Sequence, residues 1–149
     1  MNLFKIFSIS GSAMAAQRSR MSVVAGNLAN TETTRTPDGG PYKRRDVIFQ
    51  AVPAEGEFAE QLADFDDRRD DVQGVEVVGI KQSSRPPRKV FDPNHPDAGQ
   101  DGYVSLPDIN PVEEMVDMLS AARSYEANLS AYNTTKALIR KILDLGNGS

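Results

Sequence analysis

Near the C-terminus, Met115, Met118, Ala122, Tyr125, Leu129, Tyr132, Lys136, Ile139 and Leu143 follow one another in steps of three and four. That is the a/d spacing of a coiled-coil seam, held for about four heptads, and it predicts one long α-helix. The start chemistry agrees: Asn110 suits the N-cap, Pro111 the first helical position, and Glu113 the third place of a capping box. Glu113, Glu114 and Asp117 lie near the positive end of the helix dipole, and Arg140 and Lys141 near the negative end. Gly146 is expected to stop the helix. Such a helix would be roughly 50 Å long, more than a compact domain of this size requires. A second apolar set lies off the seam: Val112, Val116 and Leu119 at one end, Leu138, Ile142 and Leu145 at the other. A helix with one partner needs one stripe. Parts of two stripes predict packing against its own chain and against neighbouring copies.

Residues 3–30 are the expected partner. Phe7, Met14, Met21 and Leu28 recur every seven residues, with Leu3 and Val24 between them. Gly11, Ala13, Ala15, Ala16 and Ala25 permit close helix approach, while Ser10 and Gln17 weaken the seam by filling d-like places. A helix of this kind depends on packing for its stability, so it is expected to be poorly ordered in a free monomer. Lys136 on the C-terminal seam is a candidate register-setting residue, because a polar group there disfavours wrong alignments.

The middle of the chain has another character. Tyr42 to Val52 ends in a strand-like run closed by Pro53, and Val75 to Lys81 forms a second, with Gly79 as a possible bulge. Lys89-Val90-Phe91 and Tyr103-Val104 read as short strands between proline- and glycine-marked turns. Glu55 to Leu62 suggests a helical turn, and Asp64 to Asp71 a solvated acidic loop. The fold class expected is mainly α with a β-rich, extended insert, its long terminal helices paired as a coiled coil.

Little here supports catalysis. The chain of 149 residues has no cysteine, which removes disulfides, thiolate metal sites and cysteine nucleophiles. Its one histidine, His95, sits in Asp92-Pro93-Asn94-His95-Pro96-Asp97, where two prolines in six residues favour a rigid turn. A calcium loop is a poor match: Pro96 takes a ligand position and Tyr103 replaces the closing glutamate. Gly39-Gly40 lacks the lysine and hydroxyl of a phosphate loop. A net charge of −4 gives no basic face for nucleic acid, and the run Lys43-Arg44-Arg45 suits a strand edge or an acidic neighbour better. No enzyme activity, metal or cofactor is expected. No apolar run approaches the roughly 20 residues of a membrane span. Ser8, Ser10, Gly11 and Ser12 interrupt the apolar start, so a cleaved signal peptide is not expected.

Several motifs are more specific. Asn27-Leu28-Ala29-Asn30-Thr31, after Met21 to Gly26, resembles the N-terminal signature of the bacterial flagellar rod, hook and hook-associated protein family. Glu114 to Met118, with Arg123-Ser124-Tyr125-Glu126-Ala127-Asn128, resembles that family's C-terminal motif. Thr33 to Tyr42, and Asp92 to Ala98 with Gly102-Tyr103-Val104, look like its proximal-rod branch, the FlgC type. Residues 53–80 match no motif. The resemblance implies a structural subunit whose terminal helices pair as an inner layer, residues 1–34 and 110–149, around which 35–109 form an outer segment. Copies would stack helically into a hollow drive shaft in the periplasmic part of the basal body. Implied partners are other copies, the other proximal-rod subunits, the basal-body adaptor protein and the flagellar type III export apparatus, which passes such chains without removing a signal peptide. The assembly surface expected comprises Phe7, Met14, Met21 and Leu28 with Met115, Met118, Tyr125, Leu129, Tyr132, Lys136, Ile139 and Leu143. Two other readings stay open: a discrete coiled-coil adaptor or secretion chaperone, and a hydrolase using His95 or the carboxylate loop.

The stretch between the first helix and the insert has a physical reading of its own. Asn27 and Asn30 lie one turn apart and are expected to bond backbone groups as the helix frays. The threonine cluster and Pro37 forbid continuation, and Asp38-Gly39-Gly40 turns the chain towards the peripheral segment.

Overall fold

The computed structural model describes residues 3–53 and 73–147. Their elements run α1 (Leu3–Ala29), β1 (Arg45–Pro53), β2 (Gln73–Gln82), β3 (Arg88–Phe91), β4 (Tyr103–Leu106) and α2 (Pro111–Asn147). Two helices thus flank a small β middle, as the sequence predicts. The segments Glu55 to Leu62 and Asp64 to Asp71 lie outside the described residues. β1 pairs with β2, and β3 with β4, in two separate two-stranded sheets.

Both helices contribute to each of two contact units. One combines residues 3–18, 49–53, 73–78 and 122–147; the other combines 19–48 and 79–121. In the first, Phe7 of α1 meets Tyr132 of α2 edge to face, with ring centroids 4.6 Å apart. Ser12 donates to the Ile9 carbonyl at 3.0 Å and accepts the Val75 amide at 3.2 Å, so a mid-helix hydroxyl holds the start of β2. Gly74 permits that approach, since a Cβ there would stand 3.0 Å from Ser12 Oγ.

In the second unit β3 and β4 run antiparallel, with Val90 opposite Val104 and Phe91 opposite Tyr103. Strand alternation buries Val104 and leaves Phe91 and Tyr103 on the solvent side, their rings 5.2 Å apart. The connection is the rigid turn expected from its prolines. Asn94 N–H donates to Asp92 Oδ1 at 3.2 Å, Asp97 N–H to His95 Nδ1 at 3.0 Å, and Gly99 N–H to the Tyr103 carbonyl at 2.9 Å. Beyond it, Pro107 and Ile109 are buried and lead into α2.

Three local expectations are corrected. At the start of α2, Asn110 Oδ1 accepts the Val112 amide at 3.1 Å as an N-cap should, but the box closes differently. Glu113 Oε1 accepts from the Asn110 side-chain amide at 3.2 Å, because asparagine, unlike serine, has an NH2 to offer a carboxylate. At the other end the helix passes through Gly146 to Asn147; among the described glycines only Gly39, Gly40 and Gly102 have positive φ, so Gly146 makes no left-handed cap. In β2, exposure alternates in phase from Val75 to Ile80, straight through Gly79, which does not mark a bulge.

The apolar core is thin. Among the described residues the buried hydrophobic ones are Ala16, Val24, Val104, Ile109 and Ala121. Large apolar side chains such as Met115, Leu129 and Leu143 are exposed instead.

Gly102 is the most constrained backbone position of the β3–β4 hairpin. Its φ is +73°, and a Cβ would stand 2.8 Å from Phe91 Cε2. Gly102→Ala is expected to cost about 1–2 kcal/mol, read as a lower urea midpoint, with larger loss if the Phe91 ring cannot turn aside.

Candidate functional site

The most deeply buried polar residues, Asn27 and Glu114, come from opposite ends of the chain and meet in the second unit. Asn27 is 0% and Glu114 1% exposed. The last turns of α1 present Asn27, and the first turn of α2 presents Glu114. Asn27 Nδ2 donates to Glu114 Oε2 at 2.9 Å and to the Arg45 carbonyl at 2.8 Å. Its Oδ1 accepts the Arg45 amide at 2.9 Å and the Tyr42 hydroxyl at 3.2 Å. Both donors and both lone pairs of the amide are therefore used. Towards Arg45 the side chain acts as a peptide group would, giving the first residue of β1 the pair of bonds a neighbouring strand would give.

Arg44 supplies the counter-charge. Its Nε donates to Glu114 Oε1 at 2.5 Å, and its guanidinium also reaches Asp46 and, at 3.6 Å, Asp117. Arg20 of α1 pairs with Asp117 at 3.0 Å. Burial opposes the charge on Arg44, but the bond and field of Glu114, aided by Asp46 and Asp117, outweigh it and raise its pKa. The Tyr42 hydroxyl is also pushed above 10.0, mainly by burial and further by Glu114, against the pull of Arg45. The phenol thus stays protonated and able to donate. The run Lys43-Arg44-Arg45 does meet an acidic neighbour, as expected, through its middle residue.

Asn27 departs from its expected role. It bonds backbone, but that of Arg45 and not of its own fraying helix; Asn30 alone does the latter, donating to the Gly26 carbonyl at 2.8 Å. Thr31 Oγ1 then caps the Leu28 carbonyl at 2.7 Å. Thr33 O accepts the Tyr42 amide at 3.0 Å, closing the loop that carries Pro37, Gly39 and Gly40 back to the cluster. Sequence reasoning missed Glu114 and Arg45 as partners of Asn27, and Arg44 as the partner of Glu114. The available signal was the recurrence of Glu114, Ala121, Asn128 and Thr135 every seven residues, a small and polar row beside the apolar one.

That row faces inward. On α2 the row Glu114, Met118, Ala121, Tyr125, Asn128, Tyr132, Thr135 and Ile139 is buried or half-buried and again spaced by three and four, with Asp117, Ala122 and Ser124 half-buried beside it. Five of the residues expected on the seam, Met118, Ala122, Tyr125, Tyr132 and Ile139, are half-buried. Met115, Leu129, Lys136 and Leu143 are exposed, Met115 and Leu143 by 60% each. Thr135, not Lys136, takes the buried place, bonding the Ala131 carbonyl at 2.9 Å. On α1, Phe7, Met14, Met21 and Leu28 are half-buried, while Ser10, Ala16, Val24 and Asn27 are buried. Of the family-motif residues, Leu28, Asn30, Thr31, Tyr125 and Asn128 are half-buried, and Ala29, Glu126 and Ala127 are exposed.

The inward rotation leaves two apolar rows uncovered at the ends of α2. Val112, Met115, Val116 and Leu119 form one, and Leu138, Ile142, Leu143 and Leu145 the other. No group of three or more histidine, cysteine or acidic side chains among the described residues is placed to hold a metal. No helix among them is long and apolar enough to cross a membrane.

Removing one member of the cluster strands the others. Glu114→Ala leaves Arg44 and one Asn27 donor without a buried acceptor, and is expected to cost about 3–5 kcal/mol by urea denaturation. Asn30→Ala, whose amide bonds only local groups, is expected to cost about 1 kcal/mol or less.

The comparisons with known proteins follow the same two regions. Residues 7–35 match the family model described as flagella basal body rod protein, and residues 100–145 match that of the flagellar basal body rod FlgEFG protein C-terminal. The flagellar basal-body rod protein FlgC of Salmonella typhimurium is 40% identical, across 98% of this chain and 99% of that protein. Its counterpart in Borreliella burgdorferi is 40% identical across 99% and 100%, and that of Bacillus subtilis 39% across 98% and 99%. A cluster that joins the N-terminal motif to the C-terminal one, in a chain similar to these relatives from end to end, has one reading: the chain belongs to the FlgC family of flagellar basal-body rod proteins.

Proposed function

We propose that this rod structural subunit polymerises helically through its terminal helices, with its own copies and with other proximal-rod subunits, into a hollow shaft that transmits torque and passes exported subunits. Residues 1–34 and 110–149 form the inner layer of that shaft, paired as a coiled coil, and residues 35–109 its outer segment. The chain reaches the periplasmic rod through the type III export apparatus without cleavage and is seated by the basal-body adaptor protein.

The observation that carries this reading is the uncovered apolar side of α2. Met115, Leu129 and Leu143 lie outside the packed row of their own chain, together with the two end rows. A 16.3 kDa protein gains little from holding such side chains in water. Contacts with neighbouring subunits bury them, and heterologous contacts of this kind propagate as a helix. The packed residues Phe7, Met14, Met21, Leu28, Met118, Tyr125, Tyr132 and Ile139 support the surface from behind, and Lys136 sets its register against a neighbour.

Leu129→Asp tests this in a strain lacking the native gene. The variant is expected to keep its helix content, since the residue is 39% exposed, and to abolish rod density in isolated basal bodies and swimming. Normal rods and motility in that strain overturn the proposal. A purified protein that sediments as a stable dimer of fixed size supports the discrete adaptor or chaperone instead.

A further inference from the structure

We infer that Asn27, Arg44 and Glu114 are positioning residues that set the register of α1 on α2, and that the helices without them can slide by a heptad. The pairing of the two helices is short of shape information. On the two helices of the second unit the buried apolar residues are Val24 and Ala121, alongside the polar cluster; Val104, Pro107 and Ile109, buried in the same unit, come from β4 and the segment before α2. Within that unit Arg20 meets Asp117 and Asn27 meets Glu114, so α1 runs antiparallel to α2. A displacement of seven residues, about 10 Å, would bring Asn27 opposite Ala121, which offers no steric barrier.

The remaining contacts discriminate weakly. Arg20 and Asp117 are 33% and 36% exposed, and an ion pair so open to solvent holds alignment poorly. In the other unit Phe7 meets Tyr132 edge to face, but the positions a heptad away, Tyr125 and Ile139, offer an aromatic ring and an apolar side chain too. Only the cluster reads alignment sharply. In a slipped pair, Glu114 would lose Asn27 and would lie far from Arg44, because Asn27 carries Arg45 with it through two hydrogen bonds. A buried carboxylate would then stand without partners, which a low-dielectric site punishes severely. A polar group buried in a helix seam is the best-attested device for fixing register. This inference concerns the single chain and stands apart from whether it polymerises.

The absence of cysteine permits a direct test. Two disulfide probes are built in the full chain: Arg20→Cys with Asp117→Cys reports the native register, and Arg20→Cys with Ser124→Cys, seven residues further along α2, reports the slipped one. Each is placed in the native background and in an Arg44→Leu, Glu114→Leu background, which replaces the ion pair by apolar side chains. The native background is expected to crosslink through the first probe only. In the apolar background the slipped crosslink is expected to rise by about tenfold while helix content is kept, as for a seam stripped of its register-specifying group. Crosslinking through the native probe alone in both backgrounds overturns the inference. So does failure of the apolar background to fold, because the cluster would then be needed for stability and not for alignment. Restoring Glu114 and Arg44 together, but not either singly, is expected to return the native pattern.

Discussion

A carboxylate inside a protein has to be met by partners that stay put, and the fold around Glu114 follows from that demand. Arg44 neutralises it, Asn27 occupies its other oxygen, and each partner is itself held, Arg44 by Asp46 and Asp117, Asn27 by both backbone groups of Arg45. The end of α1, the loop closed by Thr33 and Tyr42, the first residue of β1 and the first turn of α2 are thereby tied at one place. Buried polar networks are stabilising only when every member is satisfied, and this one is satisfied throughout. Elsewhere the packing is thin, which makes the cluster the main source of specificity in its unit.

This explains why the two regions matched by the family models lie so far apart in sequence. They are halves of one arrangement. The N-terminal half contributes the amide that copies a peptide group, and the C-terminal half the acid that needs it. The apolar rows of α2 are then free to face outward, because the inward face is made of Glu114, Ala121, Asn128 and Thr135 with Met118, Tyr125, Tyr132 and Ile139 between them.

Much of the fold was legible in the sequence. The long helix from Pro111 is marked by its cap and its spacing, the short strands of the hairpin by β-branched and aromatic residues between prolines, and the turn at Asp92 to Asp97 by those prolines. What could not be read was the rotation of α2. Two apolar sets one residue apart give a helix two plausible inner faces, and hydrophobicity alone favours the row with Met115 and Leu129. The choice was made by groups that such patterns do not weigh: a carboxylate, an alanine, an asparagine and a threonine. For the same reason Asn27 looked like a helix-end residue. Its partners lie 18 and 87 positions away, beyond the reach of local reasoning about caps and turns.

The separation of those partners has a consequence for how the chain comes into being. Glu114 and Asp117 emerge from the ribosome long after Asn27 and Arg20, and until they do α1 has no mate. A small-residue helix in that position draws most of its stability from packing. The contacts that close this cluster are therefore among the last that a growing chain can make.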